Sequence, residues 1–140
     1  VLASDLNMPQ EAYAMFQSAA GTDFGPEPDS CDEGIHSANM GGIWQDVVMG
    51  FGGARIWRGK LRFAPHLPES WQSLRYRLHW QGRDLHITVT KNQLRIVNRG
   101  SALSFWLYDQ NAVLAENSES TFRLEGGELE CEKIAVPSLD

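Results

Sequence analysis

A mainly β fold with N-terminal helices is what this 140-residue sequence predicts, and two observations carry the prediction. Apolar residues recur at helical spacing as far as Met49 and at a spacing of two from Arg55 onward. Turn-forming residues then interrupt the second region at short intervals, the rhythm of an antiparallel β-sandwich or jelly roll.

The first helix is read from "MPQEAYAMFQSAAG": Ala12, Met15, Phe16 and Ala19 fall on one face, Pro9 suits the first turn, and Gly21 is the predicted stop. The following stretch, "TDFGPEPDSCD", is rich in Pro, Gly and turn formers and reads as a loop. A second helix starts near Ser37, carries Met40, Ile43, Trp44, Val47 and Val48 at helical spacing, and ends at "GFGG", Gly50 to Gly53. Beyond it, "LRYRLHWQGRDLHITVT" sets Tyr76, Leu78 and Trp80 against Arg75, Arg77 and His79, turns at Gln81-Gly82, and resumes with Leu85, Ile87 and Val89 on the buried side. Further strands are read in "QLRIVN", "ALSFWLY", "STFRL" and "ELECEKIAV". Two helices cannot bury their apolar faces except against the sheet or another partner, so they read as part of a larger helical body.

Composition narrows the function classes. Twelve basic against eighteen acidic residues give a net charge of −6, with no run of Lys or Arg longer than two, so neither nucleic acid nor a polybasic membrane contact is expected. The two cysteines, Cys31 and Cys131, lack metal spacing and read as reduced thiols, which suits a cytoplasmic setting. The start "VLASDLNMPQEAY" has neither the charged nor the apolar region of a secretory signal, and no stretch is apolar enough to span a bilayer, so a soluble protein is expected.

The chemistry-bearing candidate is "CDEGIHSANMGGIW". A helix that begins after His36 presents unpaired N–H groups and the positive end of its dipole, which suits an anion such as phosphate. Gly34 lets the backbone approach, and His36 and Ser37 add donors. On physical grounds alone, the same residues fit a bare helix start capped by Ser37 more readily. His66 in "FAPHLPESW" reads as a structural turn residue, and His79 and His86 as polar-face sheet residues without a carboxylate at ligand spacing, so no metal site is expected. Of the five tryptophans, Trp44 and Trp80 follow the core pattern, while Trp106 is out of phase with Leu103 and Phe105.

Taken together, "EGIHSANMGGIWQDVVMGFGG" and "LRFAPHLPESWQSLRYRLHWQGRDLHITVT" resemble the C-terminal end of glycoside hydrolase family 65, which holds maltose, kojibiose, nigerose and trehalose phosphorylases and some trehalose hydrolases. The resemblance implies that residues 1–53 are the last helices of an (α/α)6 catalytic barrel and residues 54–140 a C-terminal β-sandwich of jelly-roll type. It implies a phosphate pocket with contacts from His36, Ser37, Gly34 and Asn39, where Ser30, Cys31 and Asn39 depart from the Thr and Ser that members often carry. The family's general acid lies upstream of this segment, so no catalytic residue is expected here, and Glu33 is not a substitute. The implied reaction is inverting phosphorolysis of an α-linked glucose disaccharide, giving β-glucose 1-phosphate with inorganic phosphate as substrate and no cofactor, in an enzyme that is usually a homodimer. The alternatives are a hydrolase of the same family, or a structural or carbohydrate-binding sandwich with Trp57, Trp71 or Trp106 exposed in a groove.

Overall fold

The computed structural model describes residues 1–24 and 34–124, and the backbone of residues 131–134. Ser30, Cys31 and Glu33, and the side chain of Cys131, lie outside the described residues. Among the described residues three α-helices come first: α1 (Leu2–Asp5), α2 (Pro9–Phe24) and α3 (Ser37–Gln45), the last running straight into a π-helical segment, Asp46–Phe51. Among the described residues nine strands follow: β1 (Ala54–Trp57), β2 (Lys60–Phe63), β3 (Ser73–Trp80), β4 (Arg83–Thr90), β5 (Gln93–Arg99), β6 (Leu103–Leu107), β7 (Gln110–Leu114), β8 (Ser118–Arg123) and β9 (Cys131–Ile134).

The strands form two sheets, one ordered β1-β2-β6-β7 and one ordered β3-β4-β5-β8-β9. All pairings are antiparallel except β2 with β6, which run parallel through Arg62 opposite Trp106 and Phe63 opposite Leu107. Period two works as predicted: Leu85, Ile87 and Val89 alternate inward on β4, and Leu103, Phe105 and Leu107 on β6. Phe105 bridges the sheets, its ring 5.7 Å from Phe63 beside it and 5.5 Å from Phe122 across the core.

The sequence "GFGG" forms the joint between helices and sandwich. Phe51 is 1% exposed and meets Tyr13 and Phe16 of α2 and Trp71 of the loop before β3, with ring centroids 4.9 to 6.4 Å apart. The carbonyl of Phe51 accepts from His66 N–H at 3.0 Å, and that of Gly52 from the Tyr76 hydroxyl at 3.0 Å. Burial pushes that phenol's pKa well up, so it stays a neutral donor. Gly53 has φ +64° and a Cβ there would stand 2.1 Å from the Ala64 carbonyl oxygen, so only glycine fits at this joint.

Three expectations are corrected. Gly21 does not stop α2, which continues to Phe24 because the next residues still complete helical hydrogen bonds and no proline intervenes until residue 26. Met15 and Trp44 are exposed at 67% and 54%, while Ala12, Val48 and Phe51 are the buried apolar residues of the helical part among the described residues. Trp71, a candidate for an exposed platform, is packed edge-on against Tyr13 and Phe16 instead.

Candidate functional site

Helix α3 begins at Ser37 with His36 as its N-cap, and among the described residues no side chain caps it. The helix therefore starts with its first-turn N–H groups uncapped, beside exposed Ser37 and exposed Gly34. Ser37 thus occupies the first helical position rather than the cap. Gly34 has φ +92°, a left-handed conformation that favours glycine, and among the described residues nothing stands within 4 Å of where its Cβ would be.

His36 is held from the end of α2. The carboxylate of Asp23 accepts the His36 main-chain N–H at 3.0 Å and the ring Nδ1–H at 2.9 Å on one oxygen. Its other oxygen accepts from Asn39 Nδ2 at 2.6 Å, and Asn39 Nδ2 also donates to the Ala19 carbonyl at 2.9 Å. A carboxylate only accepts, so Nδ1 carries the hydrogen, and among the described residues no hydrogen bond engages Nε2. The side chain of Asp23 is 3% exposed while that of His36 is 47% exposed, so the network is shielded on the Asp side and open on the imidazole side. Donation from Asn39, then from the main chain and ring of His36, holds the Asp23 carboxyl at about 2, below the ordinary 3.8.

The structure brings His36, Ser37 and Gly34 to one exposed helix mouth, while Asn39 points its amide back at Asp23 and Ala19. Asp23 is the residue that sequence reading missed. It lies in a stretch read as loop, and nothing in its local pattern announces a partner 13 residues on.

The remaining candidates sit elsewhere. His79 and His86 flank Asp84 on the outer face of the larger sheet, Asp84 being 3.2 Å from His86 Nε2 and bridged by Arg77 at 2.7 Å. A carboxylate does stand beside the two histidines, contrary to the expectation, but Arg77 occupies it; among the described residues no group of His, Cys, Asp and Glu suits a metal ion. His66 packs on Tyr108, with ring centroids 5.9 Å apart, in a cleft that also has Arg55, Arg62 and the half-exposed Trp57 on its walls. Burial lowers the His66 pKa, so it is the neutral form that packs there. Trp106 is half-buried, with Lys60 Nζ 6.0 Å from its ring centroid.

A β-sandwich locked to helices through a buried aromatic joint, with an open helix mouth at the far end of those helices, defines the class as a two-part, helix-plus-sandwich protein whose polar site lies on the helical part. Residues 54–114, from the first residue of β1 to the last of β7, match the family model described as Glycosyl hydrolase family 65, C-terminal domain. The chain belongs to glycosyl hydrolase family 65 and carries its C-terminal domain. It is similar to a kojibiose phosphorylase of Halothermothrix orenii, 36% identical over 69% of this chain and 12% of the relative. It is also similar to an alpha,alpha-trehalose phosphorylase of Thermoanaerobacter brockii, 32% identical over 81% of this chain and 15% of the relative. A solved structure from the human microbiome has the same fold, with a TM-score of 0.78 at 22% identity, covering 86% of this chain and 16% of that one. The chain thus spans well under a fifth of the length of these proteins.

Proposed function

We propose that this chain supplies the inorganic-phosphate contacts of an inverting disaccharide phosphorylase, and that the rest of the catalytic centre, including the general acid, comes from sequence outside these residues. The observation that carries the reading is an imidazole with its Nδ1–H tied to a buried carboxylate, its Nε2 edge unengaged and its helix N-terminus uncapped among the described residues. Helix N–H groups and dipole attract an oxyanion, and a protonated Nε2 adds a charge-assisted hydrogen bond. Ser37 contributes a hydroxyl beside it and Gly34 keeps the approach open; Asn39, with its amide engaged, supports the site through Asp23. The phosphate held there attacks the anomeric carbon of an α-glucoside from the face opposite the leaving oxygen, while the general acid protonates that oxygen. The bond from the anomeric carbon to the leaving oxygen breaks, a bond to phosphate oxygen forms, and β-glucose 1-phosphate and the free acceptor sugar result. The same phosphorolytic chemistry is named in the curated relatives, on kojibiose and on trehalose.

The test uses the longest natural chain that contains this segment, assayed on kojibiose, trehalose, maltose and nigerose with and without phosphate. Phosphate-dependent glucose 1-phosphate is the expected product, and His36→Ala is expected to raise the Michaelis constant for phosphate by about tenfold or more. Glucose released without phosphate, or phosphate kinetics untouched by the substitution, would overturn the reading.

A further inference from the structure

We infer that Asp23 is a positioning residue for the anion at the helix mouth, acting entirely through His36. The inference rests on the reading of His36 as a phosphate contact, and its test separates the two.

Asp23 sits in the last turn of α2, where a negative charge is opposed by the helix dipole, and no Lys or Arg offsets it among its bonded partners. A clasp serving only to tie α2 to α3 needs one bond to the main chain. What the structure shows is a single oxygen that takes both the main-chain N–H and the ring Nδ1–H of the same residue. Together these bonds fix where the residue starts, which way its ring faces and which nitrogen bears hydrogen. The second oxygen is in turn fixed by Asn39, which is itself anchored to the α2 main chain at Ala19, so the carboxylate cannot rotate away. Orientation passes from α2 through Asp23 to an imidazole whose Nε2 edge is left outward, the arrangement by which a carboxylate orients a ligating histidine in many sites.

The charge balance points the same way. With Nδ1–H held by Asp23, an anion at Nε2 is met by a donor only when the ring carries both protons. The carboxylate then balances the imidazolium, and the uncapped N–H groups of α3 remain to meet the anion. Asn in place of Asp keeps an acceptor for the ring but removes that balancing charge, and sets an amide against the Asn39 amide.

The experiment is a double-substitution cycle in the longest natural chain that contains this segment, with the Michaelis constant for phosphate, that for the disaccharide, and the melting temperature read in each variant. Asp23→Asn is expected to raise the phosphate constant roughly ten- to a hundredfold while the disaccharide constant stays within about twofold, and Asp23→Asn combined with His36→Ala to be no worse than His36→Ala alone. If His36→Ala impairs phosphate use and Asp23→Asn does not, the role of Asp23 is overturned and the phosphate site stands. If His36→Ala has no effect, the site itself is overturned. A clasp without a positioning role would show as a lower melting temperature, equal losses for both substrates and additive effects in the double variant, and would also overturn the inference. Should Asp23→Asn fail to fold, Asp23→Ser, which keeps a small acceptor for the His36 main chain, takes its place with the same expectations.

Discussion

The carboxylates of Asp23 and Asp84 show how a residue's surroundings set what it does. Arg77, donating two hydrogen bonds, with His86 behind it, holds the Asp84 carboxyl at about 2 against an ordinary 3.8. A pKa lowered on folding means that the ionised form stabilises the fold; that contribution is complete above about pH 4 and is lost as the pH falls toward about 2. Arg77 is more than half exposed, so solvent screens the pair and its effect is small. We expect the urea midpoint of Asp84→Asn to lie below that of the native sequence at neutral pH and the two to converge by about pH 2. Midpoints that stay parallel through that range would show that the pair adds nothing. Residue identity alone announced neither carboxylate's partner. That His36, Ser37 and Gly34 share one helix mouth was legible because they are neighbours in the chain. Asp23 and Asp84 were not, because what defines each is a contact across space, one between helices and one across a hairpin.

Elements were more legible than residues, since period two and period 3.6 are local signals. The hairpin turning at Gln81-Gly82 is found with its predicted inward side, and α3 begins at Ser37 as read. The parallel β2–β6 pairing was out of reach, because strand order depends on long-range packing that alternation does not encode. The "GFGG" stop was legible as a stop, yet its larger role, seating the helices on the sandwich, depends on Ala64 and Tyr76, which meet it only across space. Gly53 concentrates that role: φ is +64° and the Ala64 carbonyl oxygen stands where a methyl would go. Gly53→Ala is therefore expected to cost roughly 1–3 kcal/mol or more, from the left-handed conformation and the forced backbone shift together. Chemical denaturation of the 140-residue chain reads this directly, and Gly41→Ala, at a site with nothing within 4 Å and ordinary helical backbone, serves as the control that is neutral or stabilising. Equal stability of both variants would show that the joint yields freely.

At the scale of the molecule the two parts differ in how well they satisfy their own apolar surface. Both sheets bury their facing sides in one core from Phe63 through Phe105 to Phe122. The helices bury little besides Ala12, Val48 and Phe51, and leave Leu2, Leu6, Met15, Phe24 and Trp44 more than half exposed. Exposed apolar side chains form association sites where they adjoin one another. The sandwich, by contrast, exposes chiefly Ile56, Trp57 and Val113. We therefore expect the 140-residue chain to self-associate through its helices at micromolar concentration, and sedimentation velocity to show a concentration-dependent shift. Leu6→Ser, Met15→Ser and Trp44→Ser together remove three exposed apolar side chains without touching the aromatic joint, and the expected result is a monomer whose sandwich melts as before. Trp57→Ser is the matched change on the sandwich and is expected to leave association intact. A chain that is monomeric without any substitution, or one that only Trp57→Ser makes monomeric, would locate the unsatisfied surface elsewhere and remove the argument that the helices lack their packing partner within these residues.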